Sequence, residues 1–223
     1  PYVSRMRDVM THRGPDGSGV WIDTDGRVGL GHRRLSIIDL SDAATQPMCN
    51  EDGTVWVSFN GEIYNHAEIR RELEGIGGHR WKTDHSDTEV ILHAFEEWGI
   101  ECLQKFRGMF AIALWDVRAR ELWLVRDRIG IKPLYYSIHH GRITFASEIK
   151  ALLQDTDQAR AVHEEAPLVG LVDPRQDLAE RALPRPVLAA QRVTRAGGDL
   201  QGHVGERLHA RESPRDVLEA DGR

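Results

Sequence analysis

Apolar positions along the first 165 or so residues recur at two spacings, and turn residues mark where one gives way to the other. Residues 28–40 and 54–59 are rich in side chains that suit extended strands, with Asn50-Glu51-Asp52-Gly53 as the turn signal between them. The two are expected to form an antiparallel pair. The period then lengthens. Asn65 stands three residues before Glu68, the spacing of a capping box, and Ile69, Leu73 and Ile76 recur at helical intervals before Gly77-Gly78. A short amphipathic helix follows from this. Ser86 and Glu89 repeat the capping spacing, and Val90, Ile91, Ala94, Phe95 and Trp98 form one apolar stripe that stops at Gly99.

From Met109 onward the pattern is extended again, in residues 109–115, 122–125, 134–138 and 143–145. The short polar gaps between these runs predict antiparallel neighbours, and His139-His140-Gly141 reads as a hairpin tip. Several runs are continuously apolar, as strands are when both faces are covered. An α/β layered domain is expected, with helices outside stacked sheets. No internal repeat is visible.

Residues 151–223 change character: they contain no Phe, Tyr, Trp, Ile, Lys, Asn, Met or Cys. Such a stretch has little from which to build a core. The expected division is a domain over 1–155 and an atypical tail over 156–223, either a native disordered segment or the shifted reading frame of a GC-rich gene.

Composition narrows the chemistry. A formal net charge of −6 with no basic run argues against a nucleic-acid partner. No stretch reaches the roughly 18–20 apolar residues that span a bilayer, so no membrane partner is expected. Cys49 and Cys102 make no C-x-x-C and no dense framework, which fits a reducing cytoplasm. Cys49 is expected in a loop and Cys102 in a short packed helical stretch, both as inert thiols. The histidines are dispersed rather than set at ligand spacing, and no metal site is expected. No phosphate loop of the G-x-x-x-x-G-K-[ST] type and no G-x-G-x-x-G fingerprint occurs.

A set of short motifs carries the sharper signal. In order they are His12-Arg13-Gly14-Pro15-Asp16-Gly17, Gly31-His32-Arg33-Arg34-Leu35-Ser36-Ile37-Ile38-Asp39, Gln46-Pro47-Met48 and Phe59-Asn60-Gly61-Glu62-Ile63-Tyr64-Asn65. Ser86-Asp87-Thr88-Glu89, Arg107-Gly108-Met109-Phe110-Ala111, residues 127–136 from Asp127-Arg128 to Tyr135-Tyr136, and Ser147-Glu148-Ile149-Lys150-Ala151-Leu152 complete it. Together they resemble the N-terminal glutaminase domain of glutamine-hydrolysing asparagine synthetases, a class II glutamine amidotransferase domain. The resemblance implies an α+β N-terminal-nucleophile hydrolase fold, a four-layer αββα sandwich of two antiparallel sheets.

In that family an amino-terminal cysteine attacks the glutamine side-chain amide, with its own α-amine as general base. The chain here opens at Pro1, so the resemblance implies that the first strand and its cysteine lie upstream, and that the polypeptide as given is inactive. The Asn60 side-chain amide and the Gly61 N–H are implied as the oxyanion hole, where one donor is worth about 2.7–4 kcal/mol. Arg34 is implied to clamp the α-carboxylate with its planar fork. Leu35, Ile37 and Ile38 would add backbone and apolar wall, and Glu62 and Asp87 would receive the α-ammonium. Each also has a plainer reading: Asn60-Gly61 as a turn dipeptide, the aliphatics as core strand, Asp87 as an acid complementing a helix start.

L-glutamine is therefore the expected ligand, with no cofactor in this stretch. ATP and Mg²⁺ belong to the family's C-terminal synthetase domain, whose S-G-G-x-D-S loop does not occur here. A non-catalytic glutamine-binding remnant and an amidotransferase with another acceptor are the alternatives.

Overall fold

The computed structural model describes residues 2–35, 44–139, 142–154, 169–171 and 189–194. In chain order the elements are α1 (Tyr2–Asp8), β1 (Gly17–Ile22), β2 (Gly29–Arg34), β3 (Met48–Cys49) and β4 (Val55–Ile63). Helices α2 (His66–Ile76) and α3 (Asp87–Trp98) follow, and a 3-10 helix, Gly99–Gln104, leads into β5 (Gly108–Asp116) and β6 (Glu121–Arg126). Then come β7 (Tyr135–His139), β8 (Arg142–Ala146), α4 (Ile149–Leu152), β9 (Val169–Leu171) and β10 (Ala189–Thr194).

The central sheet has the order β10-β6-β5-β4-β3, and all its pairings are antiparallel. Strand β5 explains the continuous apolar run in the sequence. Its Phe110, Ile112 and Leu114 face the helix-side core with Val90, Ile91 and Leu73, while Ala111, Ala113 and Trp115 face a second core with Leu30, Leu122 and Leu134. Period-2 alternation is present, but both faces are dry. Each fully buried aliphatic or aromatic side chain contributes about 1.5–3 kcal/mol of transfer free energy.

The second β layer consists of the β1-β2 hairpin and the β8-β7-β9 sheet, also antiparallel. Stacked Trp21 and Trp56 rings, 4.5 Å apart between centroids, join the hairpin to β4. Outside this layer α1 and α4 enclose a small core of Met6, Val9, Met10, Ala146, Ala151 and Leu152. The order is helices, sheet, sheet layer, helices, the expected αββα sandwich.

Three local expectations need correction. Residues 28–40 and 54–59 do not pair with each other: β2 pairs with β1, β4 pairs with β5 and β3, and the two lie in different layers. The intervening partner was hidden because Gly17 and Gly19 dilute the strand signal of β1. Gly19 is needed there, since a Cβ would run into the Gln46 carbonyl oxygen. Cys49 is strand rather than loop. The helix starts fall where the capping spacing puts them, yet neither Asn65 nor Ser86 makes a side-chain cap bond. Asn65 instead bonds the Lys105 carbonyl and the Arg107 N–H, and Glu89 accepts from the N–H groups of Lys82 and Thr83. Long-range partners outcompete the local ones.

In the tail, β9 pairs with β7 and β10 with β6. The rest of the expected tail, from 155 on, lies outside the described residues.

Candidate active site

Strand β4 builds the site through its register. The backbone bonds Val117 N–H to Thr54 O and Tyr64 N–H to Arg107 O flank the β4–β5 ladder. They set the even-numbered residues of β4 as the hydrogen-bonded partners of β5. The odd-numbered N–H groups therefore point away from β5. Phe59 N–H is taken by Gln46 Oε1 at 2.7 Å and Ile63 N–H by Asp87 Oδ2 at 3.1 Å. Gly61 N–H lies between these two and opens toward the cavity.

The side chains follow the same parity. Phe59 and Ile63 bury into the helix-side core, which turns Ser58, Asn60 and Glu62 to the opposite face, toward the second β layer. Asn60 Nδ2 reaches Ser147 Oγ at 3.4 Å, just beyond β8. Ser58 Oγ contacts Gly31 O at 3.3 Å and His32 Nδ1 at 3.4 Å on β2. At Gly61 φ is +156°, and a Cβ would strike the Met109 carbonyl oxygen and Phe110 Cα of β5. Glycine is required by this close approach.

These groups line one cavity of about 1000 Å³ bounded by β2, β4, β5, β8 and α1. Arg34, Leu35, Asn60, Gly61, Glu62 and Asp87 all contribute to its wall. Arg34 stands at the last position of β2, opposite Gly17. Leu35 follows it and is 54% exposed, so it borders solvent rather than forming deep wall. Ile37 and Ile38 lie outside the described residues.

Asp87 begins α3 and is buried. Burial pushes its carboxyl pKa up, while the Ile63 N–H bond and the His66 charge partly offset the rise. A carboxylate in this state gains from a cationic partner. His32 moves the other way: burial, reinforced by the Arg34 charge, pushes it down to about 4, so the ring is neutral at ordinary pH.

Neither cysteine reaches the cavity wall. Burial raises the Cys49 thiol, with nearby Lys82 pulling the other way, and burial pushes Cys102 up to about 12. Both are poor nucleophiles. The motif from Asp127 to Pro133 is a framework instead. The fully buried Asp127 carboxylate accepts from Phe110, Ile129, Ile131 and Lys132 N–H groups, fixing the turn beside the site strand.

Sequence reasoning did not single out His32, Gln46, Ser58 or Ser147 as site residues. Gln46 is buried, holds Phe59 N–H and donates to Thr88 Oγ1 at 3.2 Å, joining β4 to α3. Polar residues inside otherwise apolar stretches were the available signal.

A family profile described as a glutamine amidotransferase domain matches residues 1–183. Asparagine synthetase [glutamine-hydrolyzing] 1 of Bacillus subtilis (strain 168) is 46% identical over 151 residues, which cover 68% of this chain and 23% of that protein. A putative asparagine synthetase [glutamine-hydrolyzing] of Mycobacterium bovis is 46% identical over 158 residues, 68% of this chain and 24% of the relative. Amidase chry2 of Gibberella zeae is 39% identical over 150 residues, 66% of this chain and 21% of the amidase. The chain thus spans about a quarter of the length of these relatives. Among solved structures, glutamine phosphoribosylpyrophosphate amidotransferase from B. subtilis superposes with a TM-score of 0.56 at 21% identity, over 68% of this chain and 39% of the other. That likeness concerns the fold. Among the described residues no helix is long and apolar enough to cross a membrane.

Proposed function

The chain belongs to the glutamine amidotransferase domain family, and from that premise we propose that its large cavity binds L-glutamine and holds the side-chain amide for hydrolysis to glutamate and ammonia. The observation that carries this reading is the convergence of Arg34, Asn60, Gly61, Glu62 and Asp87 on that cavity. The Arg34 guanidinium takes the α-carboxylate through a charge-assisted fork. Asp87 and Glu62 take the α-ammonium. The carbonyl oxygen, as it gains charge under attack, is met by Asn60 Nδ2 and by the outward-facing Gly61 N–H, two donors already in place before the reaction.

The nucleophile in this reading is an amino-terminal cysteine on a strand seated between β2 and β8. Among the described residues β2 pairs only with β1, and β8 only with β7. Both border the cavity, through Gly31 and His32 on one side and Thr144 and Ala146 on the other. An extended segment there would join hairpin and sheet into one layer and bring its end to Asn60. Attack of the thiolate forms the carbon–sulfur bond, expels ammonia with a proton from the α-amine, and leaves a thioester that water cleaves to glutamate. Within a longer synthetase the ammonia would amidate aspartate activated with ATP and Mg²⁺.

Calorimetry tests the binding. Glutamine should release heat on titration into the protein, and Arg34→Ala should abolish that heat. Absence of any glutamine binding, or binding indifferent to Arg34→Ala, would reject the assignment.

A further inference from the structure

A second group of chemically capable side chains lies away from the cavity, on the outer helix layer. Helix α3 spaces Glu89, His93 and Glu96 by four and three residues, which stacks them on one face. His79 is brought onto that face by the turn after α2, where Gly77 and Gly78 take φ values of +83° and +93°. L side chains rarely adopt that region, so the glycines permit the reversal.

The geometry is compact. Glu96 Oε2 lies 2.8 Å from His93 Nδ1 and 3.7 Å from His79 Nδ1. One donor atom from each of His79, His93 and Glu96 falls within 4.8 Å of the others. Asn50 Nδ2 holds the other carboxylate oxygen, Oε1, at 2.7 Å, which orients Glu96 toward the rings. The His93 side chain is only 2% exposed, and the buried Nε2 atoms of His93 and His79, which make no hydrogen bond, face carboxylate oxygens of Glu89 and Glu97 at 3.8 and 3.7 Å.

We propose that His79, His93 and Glu96 bind a divalent transition-metal ion of the zinc class, with a fourth position open to solvent. Two imidazoles and one carboxylate suit zinc, cobalt or nickel; magnesium and calcium prefer all-oxygen sets. Ligands about 2 Å from a tetrahedral ion stand roughly 3.3 Å apart. The present separations, 2.8 and 3.7 Å from Glu96 Oε2 and none above 4.8 Å, bracket that value. His79 and Glu96 border a shallow depression of about 430 Å³ whose wall also carries Glu51, Asp52 and Glu97 against one cation, Arg80, so its charge is negative on balance and favours a cation.

None of the three residues lines the large cavity, so the ion is no reactant in amide hydrolysis. It acts as a clip between the 77–79 turn and α3, the helix that begins with Asp87.

The test is a titration of the metal-stripped 223-residue protein with Co²⁺ and then Zn²⁺. The expected result is one ion per chain, visible cobalt bands of a tetrahedral nitrogen and oxygen site, and a melting temperature that rises with metal concentration. His79→Ala and Glu96→Gln should each weaken binding by about 10–100-fold or more. A protein that takes up no ion at that stoichiometry, or whose affinity survives both substitutions, overturns the proposal, since uptake then reflects other histidines. Should either variant lose its helical circular dichroism, zinc-edge absorption of the unsubstituted protein decides, and a spectrum without two imidazole ligands also overturns it.

Discussion

Ile63 N–H donates to Asp87 Oδ2 across 3.1 Å, and this bond fixes the strand bearing Asn60 and Gly61 against the first residue of α3. The backbone N–H groups of Thr88 and of Asp87 itself also bond to this buried carboxylate.

Asp87→Asn separates the two duties. An asparagine carbonyl still accepts from Ile63 N–H, but the charge facing the ammonium is gone. A hydrogen bond to a charged group is worth about 1.5–3 kcal/mol, so glutamine affinity should fall by about 10- to 100-fold in calorimetry. Stability should not fall with it. The Asp87 pKa is raised on folding, chiefly by burial, so its contribution is fully present below the unfolded carboxyl pKa and is lost as pH rises through the folded value. Burial thus opposes ionisation of this carboxyl in the folded chain. Thermal melts of the variant at pH 7 should match or exceed the parent.

Gly61→Ala should be costly for a reason that Gly53→Ala lacks. The added methyl at 61 meets β5 backbone, which cannot rotate away, and overpacking of this kind costs about 1–3 kcal/mol. At Gly53, φ is +70° but nothing lies within 4 Å of an added Cβ, so only local strain of about 1 kcal/mol applies. Melting temperatures should fall further for the first variant, by roughly 2–4 °C per kcal/mol at this chain length.

Asn60→Ala removes one proposed oxyanion donor. In a form of the protein carrying the amino-terminal cysteine, kcat for ammonia release should fall by about 10²–10³-fold. Glutamine affinity should change little, because the donor acts on charge that develops during attack. Equal losses in kcat and in binding would assign Asn60 to substrate binding alone.

His32 provides a pH signature. Its folded pKa of about 4 lies below the usual 6.5, so the unfolded chain takes up the proton first as pH falls. Stability is therefore lost progressively from about pH 6.5 down to pH 4, by up to about 3 kcal/mol. His32→Asn should flatten the melting-temperature profile across that window. Glutamine binding by the parent should show no step near pH 6.5.

Some of this was legible before any coordinates. The stripe of Val90, Ile91 and Ala94 located α3, and the run from Phe110 to Trp115 located β5, because burial periodicity is written locally. The motif residues around Arg34, Asn60 and Asp87 were legible through resemblance, and the cavity collects them. Helix α1 and strand β1 were missed. The first offers too few periodic positions, and glycines mask the second. Helix capping was placed well and explained wrongly, since Asn65 and Glu89 found partners distant in sequence or outside the helix and Ser86 makes no side-chain cap bond.

What the amino-acid order determined by itself was where α2, α3 and strands β4 to β8 run and which of their surfaces must be dry, since these depend on side-chain spacing over a few residues. Tertiary structure alone decided that β2 and β4 belong to different layers, that Gly61 N–H faces outward between Gln46 and Asp87, and that His79 meets His93 and Glu96. Each of these depends on register or on contact between separate segments, and neither leaves a period in the chain.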